Sequence, residues 1–421
     1  MAEEIEFYRE TEFKDTEIGR IPREWEVMVA ADVADYINGY PFSPADWKMH
    51  GVPIIRIQNL NDPNAEFNCF DGKVDDIYKI KNGDLLFSWS ASIGIHIWKG
   101  GDAVLNQHIF KVVPKANINK LFLYYGLLLA IEQLKSRVHG STMKHFQKNE
   151  LKTIFMPIPP LPEQQKIAEI LSTIDEAIQK TDDIIAKTER LKKGLMQELL
   201  TKGIGHKEFK DTEIGRIPKN WEVKKLKEIA EQMYYGLSVS GVEAPTQYKL
   251  ITTTSINKET FKLDEGKVPF CNLITNEDKQ TKKLTKYFVK KEDILVSRSG
   301  TTGVVILVDK DYKNMLFGSY LIKIKLNSLI DPKFFWYFSQ SLFYWQQVSP
   351  RGATIKNINL QILKNLQVPL PSLEEQRKIS EILLTADEKL ENLRRERIKL
   401  DRIKQWFMEE LLSGRIRVRV T

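Results

Sequence analysis

Two long stretches of the chain carry apolar residues at a heptad-like spacing. The first is apolar at positions 167, 171, 174, 178, 185, 195 and 199, and Thr181 and Thr188 occupy the intervening seam positions. The second is apolar at positions 379, 383, 386, 390, 393, 400, 403, 407 and 411, and Arg397 interrupts its seam. Such spacing is typical of helices that bury one narrow stripe. We predict two helices of about 38 residues, each about 57 Å long.

A proline-rich segment precedes each predicted helix. These segments read MPIPPLPEQ at 156–164 and VPLPSLEEQ at 368–376. Pro162 and Ser372 suit the first turn or the cap of a helix, and the glutamates that follow lie where the helix dipole favours acids. Because a whole globular region separates the two helices, we expect them to pack as an antiparallel pair. The alternative is one long hairpin inside an ordinary core.

The regions that precede the helices have mixed patterns. Alternating or β-rich segments, typical of strands, are VPIIRIQNL (52–60), NQHIFKVVP (106–114), KYFVKKEDILVSRSG (286–300) and GSYLIKIKL (318–326). LFLYYGLLLAIEQLK (121–135) and FFWYFSQSLFYWQQV (334–348) are largely apolar, which indicates buried helices. We therefore predict an α/β fold class with two α+β globular heads.

The chain repeats itself. Residues 13–27 (FKDTEIGRIPREWEV) and 209–223 (FKDTEIGRIPKNWEV) are identical at 13 of 15 positions, at an offset of 196. The segments that open the helices, 156–178 and 368–390, share 13 of 23 residues at an offset of 212. The heads between these anchors diverge almost completely, as expected of a protein that recognises two different targets through one frame. The alternative is an old duplication in which one head is merely structural.

Together these patterns predict four parts in sequence. They are an N-terminal head at 1–155, a first long helix at 156–205, a C-terminal head at 206–367 and a second long helix with a basic tail at 368–421.

The composition is that of a soluble globular protein with a small excess of positive charge. The 421 residues include 63 Lys and Arg against 56 Asp and Glu, a net charge of +7, and mean hydropathy is −0.34. A modest basic excess means that any nucleic-acid binding has to come from local patches of positive charge.

The cysteines and the chain terminus carry further information. Cys69 and Cys271 form no disulfide framework or zinc motif, which fits a reducing cytoplasm. The N-terminus lacks a signal-like apolar core, and the apolar run 121–131 is too short to span a membrane.

Motifs of catalysis are missing from the sequence. There is no Asn-Pro-Pro-aromatic segment, no glycine-rich nucleotide loop and no HExxH, and six histidines are scattered without metal-ligand spacing. A loose nuclease-like Glu222-Val223-Lys224 corresponds in the repeat to Glu26-Val27-Met28, which argues against a catalytic role.

Several repeated motifs resemble the specificity subunit of type I restriction-modification systems. They are GRIPxxWEV, DLLFS or DILVSRSG, GSTMK or GATIK, and PLPEQQKIAEIL or PSLEEQRKISEIL, and they occur twice, in order, over essentially the whole chain. The resemblance implies two target recognition domains joined by an antiparallel coiled coil, each head reading half of a bipartite, asymmetric DNA site.

The same resemblance implies partners and cofactors. A non-catalytic chain would dock two modification subunits to form an adenine methyltransferase, and further motor-nuclease subunits to form the restriction enzyme. S-adenosylmethionine, ATP and Mg²⁺ would then belong to the partner subunits, and this chain would bind no cofactor, metal or membrane. Two alternatives stay open: a self-contained DNA-modifying or DNA-cleaving enzyme, and a coiled-coil scaffold that binds only protein.

Candidate phosphate contacts come from basic and hydroxyl residues in loops. The candidates are Ser141, Thr142, Lys144 and His145 in the first head, and Lys282, Lys283, Lys286, Thr354, Lys356 and Asn357 in the second. The alternative for the lysines is that they form an ordinary solvated face.

Candidate base readers are planar, polar residues that follow predicted strands, because Arg, Asn and Gln match base edges best. The candidates are Arg56, Gln58 and Asn59 in the first head, and Arg298 and Ser299 in the second. Trp89, the counterpart of Arg298 in the first head, is included among the DNA-contact candidates although it departs from this pattern. For Ser88 and Ser297 a phosphate contact is the expected role.

The repeated prefixes have a different expected role. Near-identity across the halves argues against reading different DNA, so we expect Trp25 and Trp221 to anchor each head to the frame. Alternatively, Ile18, Ile21 and Trp25 form one of two duplicate docking places for identical subunits.

Overall fold

Two compact units make up the chain. The computed structural model describes residues 5–62, 64–90, 92–137, 148–271, 284–348 and 357–419. The first unit comprises 1–183 and 395–421, and the second comprises 184–394. Each unit therefore combines one head with a part of both long helices, whereas the sequence suggested heads and helices as separate consecutive parts.

The two predicted long helices are confirmed, with 42 residues in α4 and 40 in α9. The segment 334–348, predicted as one helix, is two, because Ser339 ends the first and the Ser341 hydroxyl accepts a hydrogen bond from the backbone N–H of Tyr344 at the start of the next. The helices are α1 Ala30–Val33, α2 Ile57–Asn61, α3 Lys120–Arg137, α4 Leu161–Lys202, α5 Leu226–Ile229, α6 Pro332–Phe338, α7 Leu342–Val348, α8 Leu360–Lys364 and α9 Leu373–Leu412.

Short strands form the rest of the regular structure. Up to α4 they are β1 Phe7–Arg9, β2 Phe13–Thr16, β3 Gly19–Pro22, β4 Glu26–Val29, β5 Ala34–Asn38, β6 Val52–Ile55, β7 Asn68–Phe70, β8 Lys79–Ile80, β9 Leu85–Ser88, β10 Gly94–Ile97, β11 Ala103–Leu105, β12 Ile109–Pro114 and β13 Phe155–Ile158. After α4 they are β14 Phe209–Thr212, β15 Gly215–Pro218, β16 Glu222–Lys225, β17 Ala230–Tyr235, β18 Gly241–Val242, β19 Tyr248–Ile251, β20 Ile256–Asn257, β21 Lys262–Leu263, β22 Phe270–Cys271, β23 Ile294–Ser297, β24 Val305–Leu307, β25 Met315–Phe317, β26 Leu321–Leu326, β27 Gln367–Leu370 and β28 Ile416–Val418.

The two heads share one core topology despite their divergent sequences, and they differ in which edge of the second sheet carries the fourth strand. The first has four-stranded sheets ordered β10-β9-β12-β5 and β7-β6-β11-β8. The second has sheets ordered β17-β26-β23-β24 and β18-β22-β19-β25. In its first sheet, β17, β26, β23 and β24 occupy the places of β5, β12, β9 and β10. In both heads one parallel pair, β6 with β11 or β19 with β25, lies in the second sheet. The α+β heads predicted from the sequence are confirmed.

Each head is attached through a two-stranded antiparallel stem. Strand β4, at the end of the repeated prefix, pairs with β13, which leads into α4. Strand β16 pairs in the same way with β27, which leads into α9. The repeated sequences therefore enclose the divergent ones, so a head enters and leaves the frame at adjacent backbone positions.

A buried tryptophan fixes each stem to its helix. Trp25 is fully buried and its indole N–H donates a 3.1 Å hydrogen bond to Glu163 at the start of α4. Trp221 is 1% exposed and donates at the same distance to Glu375 at the start of α9. The expectation that these tryptophans anchor the heads is confirmed, and it explains why the prefix sequence barely changes between the halves.

Within each unit the two long helices run antiparallel. In the first unit Asp175 pairs with Lys404 at 2.6 Å and Asp182 pairs with Arg397 at 2.8 Å. The partner is therefore seven residues earlier in α9 when the position is seven residues later in α4, as in an antiparallel pair. Arg397, which interrupts the apolar seam, is thus held by a carboxylate of the facing helix.

The second unit repeats this pairing. Lys192 pairs with Asp387 at 2.5 Å, and these residues correspond in the repeat to Lys404 and Asp175. A tyrosine of the head completes each pair, since Tyr125 donates 2.7 Å to Asp175 and Tyr337 donates 2.8 Å to Asp387. One Tyr-Asp-Lys arrangement therefore joins head and both helices in each unit.

The charge of Glu163 in the first unit is balanced by the C-terminal strand. Strand β28 pairs antiparallel with β1, and Arg417 on β28 donates to Glu163 at 2.8 and 3.0 Å and to Glu10 at 2.8 Å. Glu163 is 3% exposed. Burial alone raises the pKa of Glu10, but hydrogen bonds from Arg417 and from two backbone N–H groups lower it overall.

Replacing Arg417 by methionine should destabilise the first unit by about 3–5 kcal/mol, because buried carboxylates lose their cation. Urea unfolding followed by circular dichroism measures this change. The lowered pKa of Glu10 contributes stability at neutral pH that is lost as pH falls through its folded-state pKa. Stability of the variant should therefore fall less steeply on acidification than that of the unaltered chain.

Arg419, on the same β1–β28 edge, is the matched control. Its pair with Glu6 is exposed at both partners, so Arg419→Ala should change stability by less than about 0.5 kcal/mol. Equal effects of the two substitutions would contradict the role given to Arg417.

Candidate nucleic-acid interface

The described residues include ten of the eighteen candidates for DNA contact. The other eight, Ser141, Thr142, Lys144, His145, Lys282, Lys283, Thr354 and Lys356, lie outside the described residues. Their assignment stays a prediction from the sequence.

Arg56 and its neighbours occupy a turn rather than the end of a long strand. Strand β6 ends at Ile55, and Arg56 is the residue before α2. The Arg56 guanidinium lies 4.5 Å from the centre of the Trp47 ring and donates a 2.8 Å hydrogen bond to Asn68. Such stacking holds a cation in place at a partly exposed site. Gln58, on the first turn of α2, is exposed.

Asn59 has a structural role in this turn. It is 7% exposed, and its side-chain oxygen accepts a 3.1 Å hydrogen bond from the N–H of Arg56. Its amide nitrogen donates to the backbone oxygens of Ala65 and Glu66 at 3.4 and 3.1 Å. Because its side-chain oxygen and its amide nitrogen both bond to the backbone of the head, Asn59 holds the loop in place. It therefore presents no free polar group to a base.

Ser88 and Ser297 also differ from expectation. Both are fully buried at the ends of β9 and β23. The Ser88 hydroxyl donates to the backbone oxygen of Ser92 at 2.6 Å, and the Ser297 hydroxyl to that of Ser299 at 3.1 Å. Both serines therefore shape the loop that follows the strand, which corrects the expectation that they contact phosphate.

The next residue in each loop is partly exposed. Trp89 lies 5.3 Å from the His108 ring, centre to centre. Arg298 places its guanidinium 4.7 Å from the centre of the Tyr235 ring. No motif of the sequence pointed to His108, Tyr235 or the neighbouring Tyr320.

Exposed lysines precede β23 in the second head, whereas the Arg298 loop follows this strand. Lys286, Lys290 and Lys291 are exposed, as is Asn357, and Ser299 is partly exposed. The Lys286 ammonium lies 4.8 Å from the Tyr287 ring centre. Burial raises the pKa of the adjacent Tyr234 to about 12. Positive charge at the three exposed lysines suits phosphate contacts, and carboxylates of Asp293 and Asp311 accept from the backbone N–H groups of Lys290 and Lys291.

The described residues contain no group of three or more His, Cys, Asp or Glu placed to hold a metal ion. In the same part of the chain no helix is long and apolar enough to cross a membrane.

Asn59→Ala should lower the free energy of unfolding by about 1–3 kcal/mol, because three backbone groups lose their partner. Gln58→Ala, one residue away on the exposed face, is the control and should change stability by less than about 0.5 kcal/mol. Thermal unfolding of the two variants measures both. An Asn59 variant that is fully stable but has an altered DNA preference would show that this amide reads a base instead.

Comparison with known proteins relates the chain to one protein family. A family model described as "Type I restriction modification DNA specificity domain" matches twice, at residues 22–190 and 218–400. The MjaVIII specificity subunit of a type I restriction enzyme from Methanocaldococcus jannaschii is 30% identical over 99% of this chain and 98% of its own length. The EcoBI specificity subunit from Escherichia coli is 28% identical over 84% of this chain and 77% of its own.

Solved structures share the fold. The S subunit of a type I restriction-modification system from M. genitalium superposes with a TM-score of 0.56 at 15% identity, covering 92% of this chain and 96% of that one. The two matches of the family model coincide with the two stems, heads and helices described above. The chain belongs to the type I restriction-modification DNA specificity family.

Proposed function

We propose that this chain is the DNA sequence-specificity subunit of a type I restriction-modification complex. Each head reads one half of a bipartite, asymmetric DNA site, and the long helices set the distance between the halves. The observation that carries this proposal is the pair of heads with one core topology and identical anchoring contacts but different residues in the loops after β9 and β23.

The chain itself is proposed to be non-catalytic. Support comes from the sequence, which lacks the motifs that adenine methyltransferases and nucleotide-driven motors use. S-adenosylmethionine, ATP and Mg²⁺ then act in partner subunits. Incubating the pure chain with DNA, Mg²⁺ and S-adenosylmethionine tests this, since methyl transfer or cleavage by the chain alone would establish the self-contained enzyme instead.

Two methyltransferase subunits are the proposed main partners, with motor-nuclease subunits added in the restriction enzyme. Two copies of one partner need two like surfaces, and the long helices supply a repeated one. Leu191 of α4 and Ile403 of α9 correspond in the repeat and are 60% and 44% exposed. In the prefix, Ile21 and Trp25 are buried, and Ile18 is 38% exposed whereas its repeat counterpart Ile214 is 7% exposed, so the prefix does not present two like surfaces.

Exchanging residues 28–155 for the head of another family member should change one half of the recognised sequence and leave the other intact. The junctions suit this design because Met28 lies opposite Met156, and Val29 opposite Phe155, in the β4–β13 stem. Mapping methylated adenines in cells that carry the complete system measures the outcome. A simultaneous change in both halves would contradict the modular reading of DNA, and the absence of any DNA binding with partners present would favour the protein-only scaffold.

Inserting one heptad into both long helices should lengthen the unread spacer. Seven residues add about 10 Å of helix, equivalent to about three base pairs of B-DNA at about 34 Å per turn. Because three base pairs also rotate the second half-site by about 100°, affinity should drop as the spacer lengthens. Selection of preferred sites from random DNA by the variant complex measures both effects.

A four-residue insertion is the control for the heptad. It rotates the apolar seam out of phase with its partner, so it should damage folding more than seven residues do. An unchanged spacer in a folded heptad variant would leave the helices as docking surfaces only.

A further inference from the structure

We infer that Arg298 reads a guanine in the half-site of the second head, from a base-reading position that both heads build with the same backbone. This inference rests on the proposed function. It adds the residue, the base and the matching position in the first head, which is occupied by Trp89.

The shared backbone is defined by hydrogen bonds. The N–H of Trp89 donates to the backbone oxygen of His108, and the N–H of Arg298 donates to that of Tyr320, at 3.3 and 2.9 Å. In each head the residue after the buried serine (Ser88 or Ser297) is thus hydrogen-bonded to an exposed residue. That exposed residue immediately precedes β12 in the first head and β26 in the second. The two pairs of positions are equivalent, although all four side chains differ.

A glycine beside each pair fixes the same geometry. The N–H of Gly39 donates to Ile109, and the N–H of Gly236 donates to Leu321, in the strands that follow the exposed residues. A Cβ on Gly39 would meet the backbone oxygen of Asn106 at 2.2 Å, and one on Gly236 would meet that of Gly318 at 2.3 Å. Close backbone approach therefore holds the frame constant while the side chains it presents have changed, as specificity positions require.

The Arg298 guanidinium is held in one orientation, which suits a bidentate hydrogen-bonded contact with a base. Its guanidinium lies over the Tyr235 ring, and the Tyr235 hydroxyl accepts a 3.2 Å hydrogen bond from the N–H of Leu360, which fixes the ring. In the described part of the chain the buried Nε of Arg298 has no hydrogen-bond partner. A stacked, oriented guanidinium loses little freedom on binding, and bidentate contact with O6 and N7 of guanine is its commonest specific use on DNA.

The surroundings favour this role over a phosphate contact. Tyr320, joined to Arg298 through the backbone, is 61% exposed, so the pair lies at the surface of the head. Exposed Lys286 and Lys290, which precede β23 whereas Arg298 follows it, offer the head flexible charge of the kind that suits phosphates. In the first head Trp89 and exposed His108 occupy the equivalent positions without a guanidinium, which predicts a different base preference there.

The experiment uses the complete methyltransferase complex with Arg298→Lys and Arg298→Ala, and maps methylated adenines in a library of random sites. The unaltered complex should require a guanine in the half-site of the second head. Both variants should relax the preference at that one position by about 5- to 150-fold and leave the other half-site unchanged. Lysine keeps the charge but lacks the planar fork, so it should not restore the preference.

Two further variants sharpen the comparison. Arg216→Ala removes an arginine stacked 5.5 Å from the Phe209 ring in the repeated prefix, and it should leave both half-sites unchanged. His108→Ala should alter only the half-site of the first head.

Failure of the inference is distinct from failure of the proposed function. An unaltered complex with no bipartite site would overturn the proposed function and the inference with it. A bipartite site that lacks a guanine in the relevant half, or that survives Arg298→Lys unchanged, would overturn only the inference. So would a loss of affinity that is equal for all competitor DNAs in a binding assay with the purified variant complexes, since that outcome assigns Arg298 to phosphate.

Discussion

The buried hydrogen bond between a stem tryptophan and a glutamate in the first turn of a long helix is the contact on which each unit depends. It ties three parts together at one point: the repeated prefix, the helix and the chain that follows the opposite helix. A carboxylate hidden from water needs a cation or several donors. Arg417 supplies the charge at Glu163, and His206, 2.7 Å from Glu375, stands in the corresponding place in the second unit.

A second polar contact reinforces the first. Gln164 accepts from the N–H of Asn119 and donates to the backbone oxygens of Asn117 and Pro159. Gln376 makes the same three kinds of bond in the second unit, with Asp331, Leu329 and Pro371. A buried amide with all its partners specifies one geometry. The EQ pair that opens both helices therefore fixes how each head sits on its own helices, and the head is free to vary elsewhere.

The sequence predicted the duplicated frame well because its signals are local or repeated. The seam spacing indicated both long helices, and near-identity of the prefixes pointed to Trp25 and Trp221 as anchors. Residues whose role depends on distant backbone were harder. Asn59 looked like a base reader until its partners at Ala65 and Glu66 were known. His108 and Tyr320 went unnoticed because their link to Trp89 and Arg298 crosses two strands, which no spacing along the chain reveals.

The pairing of β1 with β28 has a kinetic consequence. Phe7 lies opposite Val418, so the first unit closes a loop of almost the whole chain, and long loops cost entropy before their contacts form. The second unit is one continuous segment, 184–394. On a ribosome, where chains emerge N-terminus first, the second unit therefore has its complete complement of residues before the first unit does. The first unit, whose head is made earliest, can close its β1–β28 pair only after the second unit has been made in full.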